Sequence, residues 1–318
     1  MPIRILSTPR IFGRAAAGLR VPFVLALLTF AIPANIFGVS AVSAGGSVTS
    51  HFVWTATVSN IFGDATVINN AATNSQPGPL LFVTPNYDAG GVGPGTYDEH
   101  AVLVWYTGLG WAIFNEDKSA MVPGESFNVL VVPKTSSSVF VHFATKTTGS
   151  STLFSSTLTN GKPKALIQVT QVFNPGTASG IYNSHPVGVW YDAPKKKWAI
   201  LNEDKSVMTP KAGFNVIVGT SKSGGGTAAV QKATTSNAGW GDSTFISNSK
   251  TNSHPNAVVF ETPDVNPDGK GGTYDGVATG VWYNYHGVGA GQNKWAVFNE
   301  DKSAVPLKAA FNVLMFSN

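Results

Sequence analysis

Cysteine is absent from the 318-residue chain, and only 12% of the residues are charged, about half the share found in an average soluble domain. No disulfide can cross-link the protein, so any folded domain must rely on an ordinary apolar core. Hydrophobic residues make up 43% of the chain, which is too many for an intrinsically disordered protein. The chain also lacks the Glu-, Lys- and Leu-rich runs of a coiled coil.

The net charge of +4 comes from one end of the chain. Four of the 21 basic residues are arginines among the first 20 residues, and the first acidic residue is Asp64. Without residues 1–44, 17 basic residues stand against 17 acidic ones. A neutral, charge-poor surface lacks the basic patch that nucleic-acid binding requires, so DNA and RNA are not expected partners.

Residues 1–44 have the organisation of a secretory signal peptide. A basic stretch with four arginines precedes an almost continuously apolar run at 21–39, and small residues follow at 41–44. This order predicts cleavage after Ala44 and a secreted or cell-surface location. The alternative is an uncleaved anchor, because the apolar run is just long enough to span a bilayer. In that case the segment would be the only part expected to contact a membrane.

The rest of the chain is a tandem repeat, recognisable in segments 100–131, 185–218 and 277–316. Each segment contains V-W-Y, then an Asn-Glu-Asp-Lys-Ser string, then F-N-V. Linker-like compositions separate the copies. The predicted organisation is therefore a signal peptide (1–44), repeat 1 (45–132), a linker (133–138), repeat 2 (139–218), a Gly/Ser linker (219–226) and repeat 3 (227–318).

Each repeat is predicted to be all-β, because its apolar runs are short, β-branched or aromatic, and bounded by Gly, Pro and Asn. In repeat 1 the pattern predicts six strands near 51–58, 65–69, 79–84, 101–106, 111–115 and 126–132. Three tandem small antiparallel domains are expected, and both a sandwich and a barrel fit the pattern. The fourth and fifth strands form a hairpin, so the glycine-rich loop 86–100 should meet the turn at 115–123 at the end opposite its tip.

The string W-A-I-F-N-x-D-x-S-A-M-P…A-F-N-V, preceded by H-P-V-G-V-W-Y, resembles an uncharacterised repeat domain of exported bacterial proteins. The resemblance covers all three repeats and implies a secreted, β-rich tandem array. It implies no activity. Repeat 3 departs from the pattern, because Val277 stands where the other copies have a histidine before V-W-Y.

The Asn-Glu-Asp-Lys-Ser string recurs at 115–119, 202–206 and 299–303. Its side chains are of the kind that cap backbone N–H groups in tight turns, and we favour this interpretation. The alternating oxygens of Asn115, Asp117 and Ser119 could instead bind a hard cation such as calcium.

Repeat 3 contains a second candidate for calcium. Asp264, Asn266 and Asp268 precede Gly269 in the D-x-N-x-D-G order that opens a calcium loop, and Asp275 stands at the twelfth position. No helix is predicted on either side, and Asp replaces the usual bidentate Glu. An ordinary Asn/Asp/Gly loop is the favoured interpretation, and no other cofactor is expected.

Histidines occur in corresponding pairs, His51 with His100 and His142 with His185, and repeat 3 lacks both members. This co-occurrence predicts contact within each pair, either as a hydrogen-bonded structural pair or as part of a zinc site. His100 and His185 are also candidate ligand-binding residues.

Among the aromatic residues, Trp105, Trp190 and Trp282 lie in apolar strands and are expected in the core. Tyrosines are the better candidates for exposed ligand contacts. These candidates are Tyr106, Tyr191, Tyr283 and Tyr285.

The sequence contains no cysteine nucleophile, no G-x-S-x-G, no H-E-x-x-H and no phosphate-binding glycine loop. We therefore predict a secreted, non-enzymatic array that binds carbohydrate of the extracellular space or cell envelope. A self-associating structural protein of the cell surface is the alternative. A hydrolase with its site at the glycine-loop end is the third hypothesis.

Overall fold

A computed structural model describes residues 50–91, 93–177, 180–219, 226–285 and 291–317. The predicted signal peptide and most of the Gly/Ser linker lie outside these ranges.

Repeat 1 is a seven-stranded β-sandwich, which decides between the two predicted architectures. One sheet has the order β1-β7-β4 and the other the order β2-β3-β6-β5, and all pairings within the repeat are antiparallel. Side chains from the two sheets, such as Val129 and Ile113, meet in a core between them. The strands are β1 (Ser50–Thr55), β2 (Ile61–Phe62), β3 (Ala65–Val67), β4 (Leu80–Pro85), β5 (Val102–Tyr106), β6 (Trp111–Asn115) and β7 (Ser126–Val132).

Repeats 2 and 3 have the same seven strands in the same order, so the all-β prediction is confirmed. Repeat 2 consists of β8 (Val139–Phe143), β9 (Thr147–Thr148), β10 (Ser151–Leu153), β11 (Leu166–Val172), β12 (Val187–Asp192), β13 (Lys197–Asn202) and β14 (Gly213–Gly219). Repeat 3 consists of β15 (Thr227–Lys232), β16 (Ala238–Gly239), β17 (Ser243–Phe245), β18 (Val258–Pro263), β19 (Thr279–Asn284), β20 (Lys294–Asn299) and β21 (Ala310–Phe316). Single 3-10 turns follow β11 at Pro175–Thr177 and β18 at Pro267–Gly269.

A further apolar core joins the three-stranded sheets of the repeats. Every residue of β4, β7, β14, β18 and β21 is buried, because the second face of each sheet packs against the other repeats. This shared core includes Phe82 of repeat 1, Ile217 of repeat 2, and Phe260 and Phe316 of repeat 3.

The repeats close into a ring through an equivalent backbone hydrogen bond at each junction. A residue one or two positions after the fourth strand of one repeat donates its N–H to the fifth strand of the preceding repeat. The bonds run from Phe173 N to Val104 O (2.9 Å), from Val265 N to Val189 O (2.9 Å) and from Tyr87 N to Val281 O (3.0 Å). Because the last bond joins repeat 3 to repeat 1, the arrangement has approximate three-fold symmetry. We call these junctions seams 1–2, 2–3 and 3–1.

Buried asparagines in the F-N-V strands connect the repeats a second time. The side-chain amide of Asn128 donates to Val259 O, that of Asn215 to Leu81 O and that of Asn312 to Ile167 O, at 2.7, 3.0 and 3.2 Å. Each bond satisfies a carbonyl of another repeat inside the shared core. The described residues therefore form one compact unit, and none of their helices is long and apolar enough to cross a membrane.

Candidate functional site

The three Asn-Glu-Asp-Lys-Ser turns surround one depression of about 240 Å³, which we call the axial bowl. Residues from every repeat line it, including Asp117, Asp204 and Asp301. A cavity of about 70 Å³ adjoins the bowl, and its walls include Glu261 and Thr279. Five lining residues belong to both spaces, namely His100, Ala101, Pro186, Val277 and Ala278.

The aspartate of each turn caps the turn itself. Asp117 Oδ1 accepts a hydrogen bond from Ser119 N at 2.9 Å, and the equivalent bonds in repeats 2 and 3 measure 2.9 and 2.8 Å. Lys118 between them has a φ of 67°, so the capping bond holds a backbone conformation that few non-glycine residues adopt. The capping interpretation of this string is confirmed.

The glycine-rich loop meets the turn as predicted, because His100 Nδ1 lies 2.8 Å from Asp117 Oδ2. His185 and Asp204 form the same pair at 2.7 Å in repeat 2. Repeat 3 has Val277 at the histidine position. Two His–Asp pairs and one unmatched aspartate, Asp301, therefore stand around the axial bowl.

The predicted histidine–histidine pairs are wrong, because the inner histidines have other neighbours. His142 Nε2 lies 2.9 Å from Thr152 Oγ1, and burial lowers the pKa of His142 to about 4. His51 stacks on Phe316 of repeat 3 at a centroid distance of 4.7 Å. These inner histidines belong to packed sheet faces.

A buried glutamate of each turn accepts a backbone N–H from the following repeat. Glu116 Oε2 accepts from Asn183 N at 3.0 Å, Glu203 Oε2 from Asp275 N at 3.2 Å and Glu300 Oε2 from Asp98 N at 3.0 Å. Burial raises the pKa of Glu116 and of Glu203 to about 8, and that of Glu300 well above its usual range. Glu116 and Glu203 are therefore largely protonated near neutral pH, and burial disfavours the charged form of Glu300 as well.

Glu261 is a buried carboxyl that is peculiar to repeat 3. The two other repeats have Val83 and Val169 at its position. Glu261 Oε1 accepts a 2.8 Å hydrogen bond from Thr279 Oγ1, while Oε2 is buried and has no hydrogen-bond partner among the described residues. Burial raises the pKa of Glu261 to about 8, so its uncharged form predominates at neutral pH.

The calcium candidate of repeat 3 is engaged in seam 2–3. Asp264 Oδ1 accepts a hydrogen bond from Asn266 N. Asn266 in turn accepts from Tyr191 N at 2.7 Å and donates to Tyr191 O at 3.0 Å, and Asp275 Oδ1 accepts from Asn299. Within the described ranges, no three His, Asp or Glu side chains are grouped so as to hold a metal ion. The ordinary-loop interpretation stays the prediction for this segment, with calcium binding as its alternative.

The tyrosine candidates differ sharply in exposure. The expectation of exposure is wrong for Tyr191 and Tyr283, which are 5% and 2% exposed because they pack in the sandwich cores. Tyr106 is half-buried, and its hydroxyl donates to Gly108 O. Tyr285 is exposed at 45%.

The core prediction for the first tryptophan of each hairpin is also wrong. Trp105, Trp190 and Trp282 are half-buried. The cores instead contain the second tryptophan of each hairpin, namely Trp111, Trp198 and Trp295. Because side chains alternate between the two faces of a strand, the first tryptophan lies on the face that points away from the sandwich core. That face is directed toward a seam.

Sequence reasoning missed an aromatic cleft of about 170 Å³ between repeats 3 and 1, which we call the Trp240 cleft. Trp240 is 76% exposed and stacks on Trp282 with a centroid distance of 5.1 Å. The signal for it was an extra residue in the turn before β17, which a closer alignment of the repeats would have revealed. The cleft is lined by Tyr87, Tyr97, Trp240, Asp242, Ser243, Trp282 and Phe298.

The geometry defines an all-β protein in which three tandem β-sandwiches close into a ring. The family model described as "Domain of unknown function (DUF7452)" matches residues 34–131, 111–218 and 194–315. The chain therefore belongs to this family, and the resemblance read from its repeats is confirmed. No curated protein and no solved structure matches the chain.

Proposed function

We propose that the protein is a secreted or cell-surface, non-enzymatic array that binds carbohydrate of the extracellular space or cell envelope. One observation carries this proposal, namely that at every seam a lysine of one repeat lies over a tyrosine ring of the next repeat. Lysine Nζ atoms lie over the rings of Tyr182, Tyr274 and Tyr97 at 4.5, 4.5 and 4.0 Å.

Aromatic faces next to polar groups match the chemistry of sugars. The C–H faces of a pyranose ring pack on an aromatic ring, and its hydroxyls take hydrogen bonds from neighbouring polar side chains. Tyr274 is 39% exposed at seam 2–3, and Trp240 is 76% exposed beside seam 3–1. Because the ring holds the seams at fixed positions, weak contacts at several of them would add through high effective concentration.

Retention on insoluble polysaccharide tests this function directly. The full chain is incubated with cellulose, chitin, xylan, β-1,3-glucan and a bacterial cell-wall fraction, and the bound fraction is measured against bovine serum albumin. We expect retention on at least one material, decreased by the matching soluble oligosaccharide. Absence of retention on all five would refute carbohydrate binding.

Self-association is the second candidate, and exposed apolar side chains support it. Val58, Val207 and Leu109 are 83%, 72% and 65% exposed, and the low charge of the chain opposes association only weakly. Light scattering over a wide concentration range distinguishes this candidate. A particle mass that rises with concentration would support a structural surface protein, whereas a constant monomer mass would argue against it.

A hydrolase is the third candidate, supported by the His100–Asp117 and His185–Asp204 pairs. Such pairs orient an imidazole for proton transfer in several enzyme classes. A broad hydrolase screen compares the wild-type chain with His100→Ala and Asp117→Ala. Hydrolysis that both substitutions abolish would overturn the non-enzymatic proposal.

A further inference from the structure

The turn between β16 and β17 is longer than its counterparts. In repeat 1 the turn is Gly63-Asp64, and in repeat 2 it is Gly149-Ser150. Repeat 3 has three residues there, Trp240-Gly241-Asp242, although the glycine of each turn accepts an equivalent backbone hydrogen bond. Trp240 is thus an insertion into a turn that the fold completes without it.

Two features argue against a purely structural role for this tryptophan. Its φ is 45°, a left-handed conformation that a non-glycine residue rarely adopts. It is also 76% exposed, so most of its indole surface remains in contact with water. A large apolar side chain held out in an unfavourable conformation is typical of a binding position.

The surroundings of Trp240 form a site with two kinds of wall. Trp240 and Trp282 stack with an interplanar angle of 22°. Tyr87 and Tyr97 of repeat 1 stand close to one another, with centroids 4.4 Å apart, and complete the aromatic wall. Asp242 and Ser243 supply the polar wall.

Hydrogen bonds within the protein hold the polar side chains of the cleft in place. Ser243 Oγ donates to Asp242 Oδ1 at 2.7 Å and accepts from Trp282 Nε1 at 3.2 Å. Burial, together with the neighbouring Tyr87 and Asp242, raises the pKa of Tyr97 to about 12, so its hydroxyl stays protonated. The cleft therefore combines a carboxylate acceptor with hydroxyl groups.

We infer that the Trp240 cleft is the main sugar-binding subsite of the ring, and that it takes one neutral hexopyranose unit of a polysaccharide. This inference rests on the proposed carbohydrate-binding function and assigns it to one of the three seams. The C–H face of the sugar packs on the indole wall, and its hydroxyls donate to Asp242 and accept from Tyr97. The negative charge of Asp242 makes the cleft unsuitable for uronic acids, because like charges repel.

The corresponding turn of repeat 1 provides a matched control. Phe62 flanks the corresponding turn and is 68% exposed, but no inserted residue accompanies it. Trp240→Ala and a deletion of Trp240 remove the indole, Trp240→Tyr restores an aromatic ring, and Asp242→Asn removes the carboxylate charge. Thermal melting of every variant checks that the fold is retained.

The test measures the affinity of these variants for the neutral polysaccharides above and for alginate, a polyuronate. We expect Trp240→Ala and the deletion to weaken binding to the neutral polymer at least about tenfold. Trp240→Tyr should recover part of the loss, Phe62→Ala should bind as the wild type, and alginate should bind only to Asp242→Asn.

The outcomes distinguish failure of the subsite assignment from failure of the proposed carbohydrate-binding function. If the wild type binds a neutral polymer and Trp240→Ala binds it equally well, the subsite is wrong while carbohydrate binding stands. An equal loss in Trp240→Ala and Phe62→Ala would also overturn the assignment to this seam. If the wild type binds none of the polymers, the proposed function fails together with the subsite.

Discussion

At the scale of single residues, one asparagine per repeat connects the ring. Asn128, Asn215 and Asn312 are all at most 2% exposed. The sequence shows F-N-V three times, and strand alternation predicts that the asparagine points to one face. It does not reveal that the face is covered by another repeat, because local patterning carries no information about a partner distant in sequence.

Asn215→Ala should destabilise the protein by about 1–3 kcal/mol, because it leaves the buried Leu81 carbonyl without its donor. The free energy of unfolding is obtained from urea denaturation of the full chain. Lys164→Ala in the same repeat changes an exposed side chain and should stay within about 0.5 kcal/mol of the wild type. Equal effects of the two substitutions would contradict a connecting role for Asn215.

At the scale of elements, hydrophobic patterning located the strands well. The six strands predicted for repeat 1 correspond to β1, β3, β4, β5, β6 and β7, with ends shifted by up to three residues. The pattern missed β2, because a two-residue strand has no periodicity to detect. It also assigned the wrong tryptophan of each hairpin to the core. Both faces of β6 are buried, so polarity alone could not tell the core face from the seam face.

We expect no calcium binding at the loop 264–275, because the side chain of Asn266 is already hydrogen-bonded to the backbone of Tyr191 across seam 2–3. Addition of about 1 mM calcium should leave the melting curve unchanged relative to chelator. A bound ion would instead stabilise the fold by RT ln(1 + [L]/Kd), about 2.7 kcal/mol at a hundredfold excess over Kd. A calcium-dependent shift that Asp268→Asn abolishes would show that the loop rearranges to bind the ion.

At the scale of the whole molecule, the closure of the three repeats into a ring is the feature that the repeated motifs do not predict. Backbone atoms of Phe173, Val265 and Tyr87 make the seam bonds. Because every residue type has these atoms, the sequence pattern does not reveal the bonds. β4 and β18 are buried at every residue, and β11 at every residue but its first. A predominantly apolar stretch such as LLFVTP is typical of a strand buried on both faces.

A single repeat should consequently not remain a monomer. Residues 139–219 alone would expose Val139 and Ile217 of the shared core and leave the seam edges of β11 and β12 unpaired. Because the seams are equivalent, three copies can satisfy one another in the same ring. Light scattering should report a trimer or a larger assembly, and a stable monomer would contradict the need for closure.

Buried carboxyls at the seams make the whole ring sensitive to pH. Burial raises the pKa values of a set of acids there, which includes Asp88, Asp98, Glu116, Glu203, Glu261, Asp264, Asp275 and Glu300. A carboxyl with a raised pKa in the folded state contributes stability that is complete below its unfolded pKa. The contribution is lost as the pH rises through the folded value. Stability should therefore decrease between pH 5 and pH 9.

Replacement of Glu261 and Thr279 together by valine isolates one part of this dependence. Repeats 1 and 2 have valine at both positions, so the ring accommodates that pair. The folded pKa of Glu261 is about 8 against an ordinary value of 4.5. The stabilising effect of the double substitution should hence grow from pH 5 to pH 8, reach on the order of a few kcal/mol and then level off. Urea denaturation at several pH values measures it, with exposed Glu99→Gln as the control that should follow the wild-type curve. A gain of stability independent of pH would show that Glu261 is destabilising through packing and that its ionisation plays no part.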